Sequence, residues 1–136
     1  MKKTLLILFV AVASLTACKK DKEGKLEGRW DLVKQYNVQT LNGTKINEET
    51  ETFKTGELYV VFSGNTYKTY EDGDLEDEGT FTANENSITL KDGDGDSDTM
   101  QLRWNSKSEF VMTSEDSYSD NGQTYLYKNE TTFRKN

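Results

Sequence analysis

Leu26-Glu27-Gly28-Arg29-Trp30-Asp31-Leu32 is the stretch on which the fold turns. A charged run stops there, and alternation of apolar and polar residues begins. Trp30, Leu32, Tyr36 and Val38 fall on one parity; Arg29, Asp31, Gln35, Asn37 and Gln39 fall on the other. A period of two marks a strand with one buried face. The first strand is therefore expected over residues 28–41, ended by the turn dipeptide Asn42-Gly43.

Toward the C-terminus the same pattern recurs in seven shorter runs: Glu57–Phe62, Thr66–Glu71, Gly79–Ala83, Ser87–Lys91, Asp98–Trp104, Glu109–Ser114 and Gln123–Arg134. Their expected inward residues include Val60, Phe62, Tyr67, Phe81, Ile88, Leu102, Trp104, Phe110, Tyr125, Tyr127 and Phe133. Turns of Gly, Asn and Asp separate the runs, and no helical period appears. Residues 71–78 and 115–122 read as charged loops. The longest connection, 44–55, is Thr/Glu-rich with only Ile46 and Phe53 apolar, and reads as a loop, an irregular edge or a flap. Hairpin-length links make sequence neighbours spatial neighbours. The expectation is all-β: an eight-stranded antiparallel up-and-down barrel, preceded by a lipoprotein signal peptide. Such a barrel has room for its own side chains or one small ligand.

Toward the N-terminus the sequence changes character. Lys2 and Lys3 precede an apolar run, Leu5–Leu15, too short for an ordinary membrane span. Leu15-Thr16-Ala17-Cys18 then looks like a bacterial lipobox, with small residues before the cut and a Cys after it to carry the lipid. The chain divides into a signal peptide (1–17), a lipidated charged tether (18–25) and a barrel domain (26–136). Cys18 is the only Cys, so no internal disulfide can form. The membrane, through lipid on Cys18, is the first expected partner. The expected location is the cell envelope, at the periplasmic or surface face of the outer membrane.

Composition excludes more than it selects. The formal charge of −7 becomes −9 once Lys2 and Lys3 leave with the leader. That surface repels nucleic acid and anionic headgroups, so no nucleic-acid partner is expected. The chain has no His, which removes His-based triads and His metal sites. No base stands beside the many Ser and Thr residues, so the reading is not an enzyme and needs no cofactor. Asp92-Gly93-Asp94-Gly95-Asp96-Ser97-Asp98 carries alternate aspartates of the kind calcium takes. An EF-hand would need Gly where Ser97 stands and Glu where Arg103 stands. A solvated hairpin loop is the preferred reading, with Asp92, Asp94, Asp96 and Asp98 as the alternative metal ligands.

Gly28-x-Trp30 resembles the Gly-x-Trp signature on the first barrel strand of lipocalins. With Phe62-Ser63-Gly64-Asn65-Thr66-Tyr67, Gly79-Thr80-Phe81 and the aromatic-basic last strand, residues 26–134 resemble the compact lipocalin-like lipoproteins of Bacteroidetes, within the calycin group. The second lipocalin signature, around a Thr-Asp-Tyr run, is missing, and the chain is shorter than a full lipocalin. The resemblance implies a basic residue of the last strand packed over the signature Trp, and Arg134 is the matching residue. It also implies a monomer binding a small apolar or amphipathic ligand in or at the mouth of the barrel. Tyr36, Phe62, Tyr67, Phe81, Trp104, Phe110, Tyr125 and Tyr127 are the expected lining. The alternative is that these aromatics fill the barrel, leaving an interaction module that docks on an envelope protein.

Overall fold

The computed structural model describes residues 25–136, so the signal peptide, Cys18 and the tether through residue 24 lie outside the described residues. Nine strands follow one another: β1 (Gly28–Leu41), β2 (Thr44–Thr52), β3 (Leu58–Ser63), β4 (Thr66–Glu71), β5 (Asp74–Ala83), β6 (Ser87–Asp92), β7 (Ser97–Ser106), β8 (Glu109–Asp120) and β9 (Gln123–Lys135). All pairings are antiparallel, and β1 pairs with β9 to close the sheet on itself. Eight strands, β1 and β3 to β9, make the closed barrel, as the alternation predicts. The ninth, β2, lies in the Thr/Glu-rich stretch that reads as a loop, an irregular edge or a flap, and it is an edge strand. It pairs with the upper half of β1, from Lys34↔Thr52 to Leu41↔Thr44, while β3 takes the lower half of the same edge. Every residue of β2 is exposed, so it carries no apolar period to read.

The closed end is dry. Trp30 is fully buried and meets Phe110 and Trp104 edge-on, at centroid distances of 4.8 and 5.7 Å. Phe62 packs on Phe81 at 4.8 Å, and Phe110 on Phe133 at 5.1 Å. Ile88, Leu102 and Tyr67 complete the filling. Leu26, from a short helical turn before β1, is also fully buried, and its carbonyl accepts the Trp30 indole N–H at 2.7 Å. Leu26 thus plugs this end of the barrel.

Two features of β1 and β9 correct the sequence reading. The register shifts between Leu32 and Lys34, so Val33 is a bulge. An extra residue reverses the parity of everything after it. Tyr36 and Val38, expected inward, therefore stand on the outer face, and Gln35, Asn37 and Gln39 take the inner one. The Tyr36 hydroxyl donates to the Glu48 carboxylate at 2.8 Å. The second correction concerns Arg134. It sits opposite Asp31, outside the barrel, and binds Glu109 at 2.9 Å. Lys135 is the residue opposite Trp30, and its Nζ stands 5.1 Å from the indole centroid.

Above the dry end the barrel forks. β7 and β8 pair only from Ser106↔Glu109 up to Gln101↔Thr113. Beyond that, β7 stays with β6 up to Lys91↔Ser97, while β8 stays with β9 up to Asp120↔Gln123. One leaf is the four-stranded sheet β2-β1-β9-β8; the other holds β4 to β7. The stretches read as loops at 71–78 and 115–122 are mostly strand. They end in two-residue turns at Asp72-Gly73 (φ 50° and 94°) and Asn121-Gly122 (φ 49° and 76°). Left-handed φ at both positions is the hairpin turn that continues strand twist, which lets such polar strands run to their tips.

Candidate functional site

The fork leaves a cleft of about 680 Å³ at the barrel mouth. Its floor is the inner face of the four-stranded leaf. From β1 come Asn37 and Gln39, from β2 Asn47 and Glu49, from β9 Tyr127 and Asn129, and from β8 Ser114 and Asp116. Asp98, Thr99 and Met100 of β7 form the opposite wall. Ligand pockets of small-molecule size fall at roughly 300–1,000 Å³, but most are apolar. This one combines carboxamides, carboxylates, hydroxyls and the Tyr127 phenol with the apolar Val38 and Met100 and the ammonium of Lys128.

Side-chain hydrogen bonds fix several of these groups. Gln39 Nε2 donates to the Tyr127 hydroxyl at 2.6 Å. Asn129 Nδ2 donates to Asn37 Oδ1 at 2.6 Å, and Asn129 Oδ1 accepts from Thr131 at 2.8 Å. An amide carries two donor hydrogens and an acceptor with two lone pairs. Asn37 therefore keeps its NH2 group, and Gln39 its carbonyl oxygen, for something outside the network. Tyr127 is the near end of an aromatic column. Tyr118 stacks on Tyr125 at 4.8 Å and lies near-parallel to Tyr127 at 6.0 Å, and Tyr118 and Tyr127 are 50% and 42% exposed.

Below the cleft, the Tyr67 phenol marks where the dry core ends. Its hydroxyl donates to Asp77 at 3.0 Å. Burial first, then the Asp77 bond and the carboxylates of Asp77, Asp92 and Asp98, push the phenol up to about 12. Asp92 is occupied by its own hairpin: Oδ1 accepts the backbone N–H groups of Asp94, Gly95 and Asp96 at 2.9–3.0 Å. Asp92 thus caps the turn between β6 and β7, and among the described residues no three acidic side chains gather as a metal site would need.

The aromatics expected to line a pocket separate into two groups. Phe62, Tyr67, Phe81 and Phe110 are buried in the packed core, with Trp104 half-buried against it. Above it Tyr125 is half-buried and Tyr127 exposed, and Tyr36 is on the outer face with Glu48. Only Tyr127 belongs to the cleft. The carboxamides that line it were missed, yet a signal existed: Gln35-x-Asn37-x-Gln39 is itself a period-two comb.

No family model matches the chain, and no curated protein matches it. Among solved structures, the chain is similar to an uncharacterized protein from Bacteroides eggerthii, at 10% sequence identity and a TM-score of 0.44, over 76% of this chain and 98% of that one.

Proposed function

We propose that this chain is a lipid-anchored, lipocalin-like protein of the cell envelope that binds a small amphipathic ligand in the cleft at its barrel mouth. It acts as a binding protein, not an enzyme. One observation carries the reading: a pre-organised polar cleft of about 680 Å³ opens above a centre already filled by Trp30, Phe62, Phe81 and Phe110. A filled centre moves the ligand site from the interior to the mouth. Polar groups held by one another before binding cost little to order when the ligand arrives.

The proposed anchor suits this arrangement. The described chain begins at Lys25 beside the buried Leu26, at the end opposite the cleft. A lipid on Cys18, with a charged tether of about 17 Å root-mean-square span, would leave the cleft facing away from the outer membrane. Cys18→Ala should release the protein to the soluble fraction; a variant that stays membrane-bound rules out the lipid anchor.

The filled centre also favours the second reading, an interaction module with no small ligand. Native mass spectrometry of the protein purified from its own cells separates the two. A reproducible bound small molecule, lost in Ser114→Trp, supports the cleft. A clean apo mass with a co-purifying envelope protein supports the module.

A further inference from the structure

We infer that the cleft recognises a carbohydrate, specifically a neutral or amine-bearing sugar ring, and that Tyr127 is its stacking platform. The inference rests on the reading of the cleft as a small-ligand site and names its ligand class.

The argument is one of matching chemistry. A sugar ring has hydroxyls around its edge, each able to donate and accept, and a face of C–H bonds that is effectively apolar. Its receptor needs planar groups offering donors and acceptors side by side, plus a flat apolar surface. The cleft has both. Asn37 and Gln39 are held by Asn129 and Tyr127 so that, among the described residues, one amide NH2 and one amide carbonyl remain unspent. They lie two residues apart on the same face of β1, about 7 Å, close to the spacing of groups across a ring. Glu49 and Asp116 supply further acceptors on either side. Tyr127 supplies the apolar surface, and its 42% exposure leaves ring area to cover. The electron-rich face of an aromatic ring attracts the weakly positive C–H hydrogens of a sugar.

Tyr118, near-parallel to Tyr127 and stacked on Tyr125, backs the platform from the side of the hairpin tip.

Charge sets the specificity. Glu49 and Asp116 on the floor and Asp98 on the wall face the ligand, whereas Lys128 is tied to Glu130 at 3.1 Å. Uronate, sialate or sulfate groups would meet the carboxylates of Glu49, Asp98 and Asp116, and among the described residues lining the cleft the one cation is Lys128, already paired with Glu130. A neutral ring brings no charge against these carboxylates and donates its hydroxyls to them, and an amine gains from them. An apolar ligand would strip water from these carboxylates and amides without replacing their hydrogen bonds, a costly exchange.

The test is saturation-transfer difference NMR on the full mature protein. The panel contains hexose oligomers, N-acetylhexosamine oligomers, glucosamine oligomers and hexuronate oligomers. At least one neutral or amine-bearing member should bind, the hexuronates should not, and added salt should weaken the glucosamine oligomers most. Tyr127→Ala and Asn37→Ala should each weaken binding tenfold or more with an unchanged circular dichroism spectrum. Tyr127→Phe, which keeps the platform and loses the Gln39 bond, should weaken it less. Preferential binding of hexuronates, or binding indifferent to Tyr127→Ala, overturns the inference. So does silence from the whole panel. If silence accompanies a different bound molecule in the native mass spectrum, lost in Ser114→Trp, the carbohydrate class falls while the cleft reading stands. If it accompanies a clean apo mass, both fall.

Discussion

Lys135 stands over Trp30 and seals the dry end of the barrel. The ammonium lies 5.1 Å from the indole centroid and also donates to the Glu27 carbonyl at 3.2 Å. Arg134, one residue earlier, points the other way and is held by Glu109. Parity alone decides between the two cations, because only odd-numbered residues at the end of β9 face the core beside Phe133. Trp30→Ala should cost ~3–5 kcal/mol, as large-to-small core changes do. Lys135→Ala should cost ~0.5–1 kcal/mol through the cation–π contact. In a double-mutant cycle by urea denaturation, Lys135 should couple to Trp30 and Arg134 should not.

Gly79 is where the core comes closest to backbone. It faces Tyr67 across β4, and a Cβ placed on it would collide with the Lys91 carbonyl and lie 2.9 Å from the Tyr67 ring. Backbone on one side and a buried ring on the other cannot both yield. Gly79→Ala should cost ~1–3 kcal/mol, the usual penalty of overpacking. Gly93→Ala, in open space, should be close to neutral by the same measurement.

Asp31 ties β1 to the link between β2 and β3. It is buried at 3% exposure, yet it accepts from Arg29 at 2.8 Å and from the Gly56 N–H at 3.0 Å. Arg29 lies 3.8 Å from the Tyr59 ring centre, and Tyr59 stacks on Tyr70. Asp31→Ala leaves the Gly56 donor and the guanidinium without their acceptor, which should cost ~1–3 kcal/mol. The loss should be local as well as global. Amide exchange should accelerate first at residues 54–57, and uniform acceleration across all strands would contradict the role.

Tyr67 makes the fold sensitive to alkali. Its phenol ionises near 10.0 when unfolded and at about 12 in the folded barrel, so the folded state holds the proton more tightly. The stability this provides is fully present below pH 10 and is lost as pH rises from there through about 12. Unfolding midpoints measured from pH 8 to 12 should fall more steeply for the native protein than for Tyr67→Phe, which has no proton to lose. Equal slopes would mean that the phenol titrates normally.

Where burial is one-sided, the sequence states the fold openly. Trp30, Phe62, Phe81, Phe110 and Phe133 alternate with polar neighbours because each strand has a dry and a wet face, and from them the closure of β1 on β9 could be read. Val33 could not: a bulge adds one residue to a strand without changing its composition, and it reversed Tyr36 and Val38. The second strand could not be read either, because a sheet wet on both faces needs no apolar period. The cleft was hidden for the same reason. It lies on the part of the sheet whose inner face stopped being core, where the alternation of Gln35, Asn37 and Gln39 concerns hydrogen bonding and not hydrophobicity.

The most direct test of the mouth as the binding site is amide mapping. Isotope-labelled protein is titrated with a small-molecule extract of its own cells while two-dimensional amide spectra are recorded. The account expects shifts at residues 37–39, 47–49, 98–100, 114–116 and 127–129, with the amides of Phe62, Phe81 and Phe110 unmoved. Shifts centred on those three core residues would put the ligand inside the barrel and contradict it, as would a spectrum that no component of the extract perturbs.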